Sequence, residues 1–168
     1  MRIRVLGSSA GGGFPQWNCN CPNCDGVRRG TLRATARTQS SIALSADGID
    51  WLLVNASPDI LTQIQRTPAL QPGRAIRDSG IAAVLLMDAQ IDHVTGLLML
   101  RERKTPLPLL ATPEVFSDIS SGFPITGILS HYCGVERQEL PIDGRAVRIP
   151  SLPGLQLQTV ALSSKPPP

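Results

Sequence analysis

A chain of 168 residues with 42% hydrophobic content is long enough to bury one sizeable core and short for two domains. Only 4% of it is aromatic, so the core must be built from Leu, Ile, Val and Ala, which excludes an aromatic stacking platform. The formal charge is +3, no apolar run approaches about 18 residues, and the first residues carry no leader pattern; membrane spanning and export are therefore not expected, and the chain reads as soluble and cytoplasmic.

Residues 1–6 alternate as a first strand, with Ile3 and Val5 on one face and Arg2 and Arg4 on the other. The glycine-rich stretch 7–13 lacks G-x-G-x-x-G spacing and leads into a polar, turn-rich segment with no amphipathic helix, so it is not a dinucleotide fingerprint. Residues 40–44 and 51–54 read as a hairpin around Asp47-Gly48, placed beside the first strand. Ser57-Pro58-Asp59 predicts the capped start of a short helix that carries Ile60 and Ile64 on one face and ends at Thr67-Pro68. Residues 81–87 are almost continuously apolar, as a strand covered on both faces requires. They run directly into Asp88-Ala89-Gln90-Ile91-Asp92-His93, with 94–100 continuing as a helix. A strand at 107–111, a capped helix from Thr112-Pro113-Glu114 to about Ile119 and a short helix within 125–132 follow. Strands at 139–142, 146–149 and 155–162 surround the Asp143-Gly144 turn. Helices giving way to strands argue against a simple doubly wound sheet. The final Ser-Ser-Lys-Pro-Pro-Pro reads as a linker, which suggests that the fold continues past it.

Cys19, Cys21 and Cys24 form C-x-C-x-x-C within residues 14–26. Three thiolates on a short turn are soft, strong ligands for structural zinc, with Pro22 and Gly26 shaping the turn. A redox or persulfide centre and plain buried thiols are the other readings. The third cysteine and the missing strand-then-helix context weaken a thioredoxin-like role. The cysteines lie too close in sequence for ordinary mutual disulfides, in keeping with a reducing compartment. His131, Cys133, an acidic side chain or a residue beyond Pro168 could supply the fourth ligand. For Cys133 the plain reading is a small buried apolar residue.

Asp88, Gln90, Asp92 and His93 put oxygen and imidazole donors in one loop at the end of a buried strand, where a sheet-edge active site belongs. Such donors suit zinc, iron or manganese. Equally, Asp92 could cap the following helix while His93 packs. Arg28, Arg29, Arg33 and Arg37 cluster, but no aromatic residues interleave with them, so they read as a solvated face or a small-anion site and not as a nucleic-acid surface.

The segments Leu6-Gly-Ser-Ser-Ala-Gly-Gly-Gly-Phe-Pro-Gln-Trp-Asn-Cys-Asn-Cys21, Ala36-Arg-Thr-Gln-Ser-Ser-Ile-Ala-Leu44, Asn55-Ala-Ser-Pro-Asp59 and Gln90-Ile-Asp-His93 resemble the PqqB family of pyrroloquinoline quinone (PQQ) biosynthesis proteins, in the metallo-β-lactamase superfamily. The resemblance runs over the whole chain and covers the N-terminal half of such proteins. It implies an α/β fold, one domain over 1–168 that is an incomplete αββα sandwich, with the zinc knuckle at 14–26. Hydrolytic relatives carry H-x-H-x-D-H. Here Asp88 and Gln90 stand where the first two histidines would be, and Asp92 and His93 match the remaining pair.

The resemblance therefore implies Asp92 and His93 as metal ligands, completed by histidine from outside the chain, with Asp88 and Gln90 orienting water, substrate or the ligands. It points to an Fe(II)- and oxygen-dependent hydroxylase acting on the tyrosine ring of a peptide-derived PQQ precursor. A carrier for PQQ or its precursor to the periplasm and a metal-dependent hydrolase or phosphodiesterase are the alternatives. Arg33 and Arg37 could pair with carboxylates of a glutamate-tyrosine product. His131 is a weaker candidate ligand. A homodimer and contacts with other PQQ biosynthesis proteins are the partners to consider.

Overall fold

The computed structural model describes residues 1–160 and 162; the strand expected at 155–162 is found at Leu152–Gln158, starting earlier and ending before Thr159, and the expected linker at 163–168 lies outside the described residues. Strands β1 (Arg2–Gly7), β2 (Ser41–Ser45) and β3 (Trp51–Val54) form an antiparallel meander in which Ile3 faces Leu44 and Val5 faces Ile42. β4 (Ile81–Leu85), β5 (Leu107–Ala111) and β6 (Val135–Glu139) then add in order, all parallel to β3. A second sheet pairs β7 (Ala146–Ile149) with β8 (Leu152–Gln158).

Both faces of β3 and β4 are buried, which is why their sequences are unbroken apolar runs. Trp51, Leu53, Val84 and Leu86 face a core shared with the helices. Leu52, Val54, Ala83 and Leu85 face the second sheet, against Ile149, Leu152 and Leu155. Helices, large sheet and small sheet thus stack as three layers. A second helical layer is not among the described residues.

Five local expectations are corrected. A helix, α1 (Pro22–Arg29), does follow the glycine-rich stretch, with Pro22 at its first position, Asp25 in its first turn, Arg28 and Arg29 in its last, and Gly30 at φ 72 closing it. Gly26 lies inside that helix, where a Cβ would come within 2.8 Å of Leu32 Cβ; it permits close packing and shapes no turn. The helix α2 (Ile60–Gln65) starts at Ile60, and the buried Ser57 hydroxyl caps nothing; the entry turn is made by Ile60 N donating to Ser57 O and Gln63 N to Asp59 O. In place of a regular helix over 94–100, α3 (Ile91–Val94) tightens into a 3-10 turn, Thr95–Leu100. Lastly, the strand expected at 139–142 is β6, which ends there; its Glu136 and Arg137 are the exposed charges of an edge strand and hide its alternation. Two further helices, α4 (Pro113–Ser117) and α5 (Ile125–Leu129), stand where they were expected, but the Thr112 side chain does not cap α4, which passes at Asp118 into a wider turn, Asp118–Gly122.

Because β1 runs in the same direction as β3 to β6, the segments that leave β1, β3 and β4 all emerge at one edge of the large sheet. The predicted functional residues lie in those segments. No helix of the described residues is long and apolar enough to cross a membrane.

Candidate metal centre

The segment after β4 folds back on itself around Asp88. Its Oδ1 accepts from Gln90 N at 3.0 Å and faces His93 Nδ1 at 2.7 Å. A carboxylate on Nδ1 fixes the imidazole tautomer with Nδ1 protonated, and leaves Nε2 as the free donor atom. That Nε2 lies 4.0 Å from Asp92 Oδ2. Two ligands on one ion, with bonds of about 2.1 Å and angles between a right angle and tetrahedral, stand roughly 3.0–3.4 Å apart. A side-chain shift of under an ångström closes that gap, so the pair fits one edge of a metal site.

Gln90 holds the extended backbone position that starts α3, and its side-chain amide reaches Asp88 Oδ2 at 3.5 Å. It contributes no imidazole and does not cap the helix with its side chain. Asp92 is inside the helix, so the helix-cap reading of Asp92 does not hold.

Two further contacts set where His93 stands. Ala56 N donates to His93 O at 2.7 Å, and Gly96 N returns a bond to Ala56 O at 2.9 Å. The loop after β3 is thereby clipped to α3 and its 3-10 turn. Asn55 accepts the left-handed φ of 59 at the start of that loop, and its Oδ1 takes the Met87 amide at 3.0 Å. Sequence reasoning assigned neither Asn55 nor Gly96 a role; a polar residue at the end of an apolar strand was the available signal for the first.

The glycine-rich stretch lies over the same edge. A Cβ on Gly11 would come within 3.2 Å of Asp92 Oδ2, so only glycine leaves that carboxylate its present position without displacement. The stretch is pinned by Ser8 N and Ser9 N on Thr38 O, and by the Phe14–Arg37 bridge.

From there the chain enters the cysteine cluster. The sulfurs of Cys19, Cys21 and Cys24 lie within 4.8 Å of one another, and all four cysteines are free. Sulfurs of a tetrahedral zinc site with bonds of about 2.3 Å stand roughly 3.8 Å apart, so this donor set fits zinc. The Cys24 amide, followed by hydrogen bonds with Cys19 and Cys24, lowers the Cys21 thiol to about 7. The Gln16 amide pulls the Cys24 thiol down, but burial and the neighbouring Cys19 and Cys21 sulfurs outweigh it and hold that thiol up. Three converging sulfurs whose charges oppose one another, as the effect of Cys19 and Cys21 on Cys24 shows, form a set that a dication stabilises. Arg28 donates to Gln16 O at 3.0 Å and to the carbonyl of Cys19, bracing the turn from α1.

Neither His131 nor Cys133 joins the cluster. His131 is exposed beyond α5, and Cys133 packs against the helix-side core, its thiol on Gly134 O. Arg28 is used on backbone carbonyls and Arg29 pairs with Asp25 at 2.8 Å, whereas Arg33 and Arg37 are exposed and form no ion pair among the described residues.

A family model described as "Beta-lactamase superfamily domain" matches residues 50–168. The chain belongs to the β-lactamase superfamily. Within it the expected resemblance to PqqB is borne out. Coenzyme PQQ synthesis protein B of Cupriavidus necator is 68% identical over 99% of this chain and 54% of its own length. The protein of the same name from Methylobacillus flagellatus is 60% identical over 100% of this chain and 55% of its own. The crystal structure of Zn(2+)-bound PqqB from Methylobacterium extorquens superposes with a TM-score of 0.82 and 44% identity, over 93% of this chain and 50% of that one. A diphosphatase of the PhnP family, at 20% identity and a TM-score of 0.65, shares the fold. The chain spans about half the length of the curated relatives it matches.

Proposed function

We propose that this chain supplies the metal-bearing sheet edge of a PQQ-biosynthesis protein of the PqqB type, and that the whole protein hydroxylates the tyrosine ring of a Glu-Tyr-derived precursor using Fe(II) and dioxygen. The observation that carries the reading is the pairing of one imidazole, oriented by Asp88, with one carboxylate, Asp92, where positions 88 and 90 offer no further imidazole. Two-metal hydrolysis draws on histidines at those positions. One histidine and one carboxylate instead provide two corners of a facial triad, and a second imidazole would come from outside these residues, since His131 is exposed beyond α5.

His93 and Asp92 would hold Fe(II) by two of its positions, and the metal would supply activation of dioxygen. The chain's own part is to orient His93 through the Asp88 contact on Nδ1, so that Nε2 is the atom turned to a metal, and to set Asp92 beside it. Ring hydroxylation places one oxygen atom of dioxygen on the substrate and reduces the other to water, so a reductant is also required. Zinc in the cysteine cluster serves as a scaffold. That a similar PqqB is Zn(2+)-bound supports that ion.

The test is metal analysis of the full-length protein prepared anaerobically with iron. Asp92→Ala is expected to lose iron and keep knuckle zinc; unchanged iron occupancy would remove Asp92 from the ligand set and the reading with it.

A further inference from the structure

Beneath the glycine-rich stretch lies a buried hydrogen-bond relay that the metal site itself does not use. Gln39, which is 8% exposed, accepts the Gly12 amide on Oε1 at 3.0 Å. Its own backbone N–H and its side-chain Nε2 both donate to Asp59 Oδ2, at 2.9 and 3.1 Å. Gln63, fully buried on α2, donates to Gln39 O at 2.9 Å and to Thr38 Oγ1 at 3.1 Å, and Thr38 Oγ1 in turn donates to Leu6 O at 2.9 Å. Each polar atom of Gln39 thus has a partner; its side chain reaches the glycine-rich stretch at the Gly12 amide, and its backbone bridges Ser9 of the same stretch.

Gly12 has φ 90 and Gly13 φ 76, conformations that cost glycine little and are not held by any side chain of their own. A Cβ on the adjacent Gly11 would come within 3.2 Å of Asp92 Oδ2, the same oxygen that faces His93 Nε2, so Gly11 lies beside that carboxylate. The Gly12 contact, with the Thr38 and Arg37 contacts of the same stretch, thus sets where Gly11 stands beside that carboxylate.

We infer that Gln39 and Asp59 are positioning residues for Asp92: through the Gly12 amide they hold Gly11 against the carboxylate and so fix the oxygen presented to the metal. The inference rests on the metal-site reading above. Neither residue touches metal or substrate. Asp59 anchors Gln39, Gln39 anchors Gly12, and Gly11 limits Asp92. The arrangement resembles in effect the outer partners that orient metal ligands elsewhere, whose loss typically lowers metal affinity about 10- to 100-fold.

The relay can be broken and rebuilt without changing its shape. Gln39→Glu sets two carboxylates against each other and removes the Nε2 donor. Adding Asp59→Asn moves the charge from 59 to 39: the new carboxylate still accepts the Gly12 amide, and the side-chain amide at 59 donates back to it. In full-length protein, Co(II) affinity and its ligand-field spectrum at the Asp92 site are measured beside hydrogen exchange of the peptide containing Gly12. Gln39→Glu is expected to weaken Co(II) binding about tenfold or more, change the spectrum and speed exchange, and the double variant to restore all three. Gly11→Ala, which leaves the relay intact, is expected to change the spectrum without speeding exchange at Gly12. Faster exchange with unchanged affinity and spectrum, or loss that the double variant fails to restore while Gly11→Ala is silent, would overturn the inference. Should Asp92→Ala itself retain the metal, the underlying site reading fails instead.

Discussion

Gly96→Ala is the substitution that most directly probes how the fold holds His93. A Cβ at this position would lie 2.6 Å from Ala56 O and 2.7 Å from Ala56 C, with Ser57 O closer still, and all three are backbone atoms that no rotamer change can move. Overpacking of this kind costs about 1–3 kcal/mol. Separating the segments to relieve it breaks the Gly96–Ala56 bond and strains the reciprocal Ala56–His93 bond, at about 1 kcal/mol each. Alanine's better helix propensity returns about 1 kcal/mol. The net loss is roughly 2–4 kcal/mol, read as a lower urea midpoint at unchanged slope. Because Ala56 N is the donor that fixes the His93 carbonyl, retention of the Asp92 site metal should fall in the same variant. A midpoint shift worth under about 1 kcal/mol, or a destabilised protein whose metal affinity is unaltered, would refute the claim that this clip positions the ligand.

Other outcomes follow from the same contacts. Asp88→Asn keeps an acceptor near His93 Nδ1 but removes its charge and the certainty of its tautomer, so metal affinity measured by chelator competition should fall about tenfold or more with circular dichroism unchanged. Cys24→Ser removes the buried sulfur of the knuckle; zinc content should drop by one ion per chain, and protease cleavage within residues 7–20 should accelerate. The Arg74 guanidinium beside Asp78 holds that carboxyl well below the usual carboxylate range, with the Gly73 amide assisting. A depressed carboxyl stabilises the folded state above its unfolded value, and that contribution is lost as pH falls from about 4 toward the folded value. Acid unfolding of Asp78→Asn should accordingly show a shallower loss below about pH 4 than the parent chain.

Much of this arrangement is legible in residue order. The apolar run at 81–87 announces a strand covered on both faces, which the structure ends at Leu85 with Met87 already exposed, and the polar residues that follow then belong at a sheet edge. C-x-C-x-x-C declares converging thiolates through spacing alone. What escapes the sequence is non-local. Nothing near Gly96 announces that Ala56 and Ser57 will lie against it, and nothing near Gly11 announces Asp92. Helix α1 was signposted by Pro22, Asp25, Arg28, Arg29 and Gly30, but its apolar content is so low that periodicity is silent. Strand β6 is hidden for the same reason, since an edge strand with Glu136 and Arg137 exposed has little to bury. Asp59 is legible only as the start of a helix, and nothing in the order of residues announces that Gln39 will be buried against it.

The central claim is that one oriented histidine and one carboxylate on this sheet edge serve an oxygen-dependent hydroxylation. Full-length protein loaded anaerobically with Fe(II) and then exposed to labelled dioxygen with a Glu-Tyr peptide and a reductant tests it by mass spectrometry. The account predicts product carrying one labelled oxygen on the tyrosine ring, absent with Asp92→Ala. Unmodified peptide alongside two bound zinc ions and turnover of a phosphodiester would contradict it.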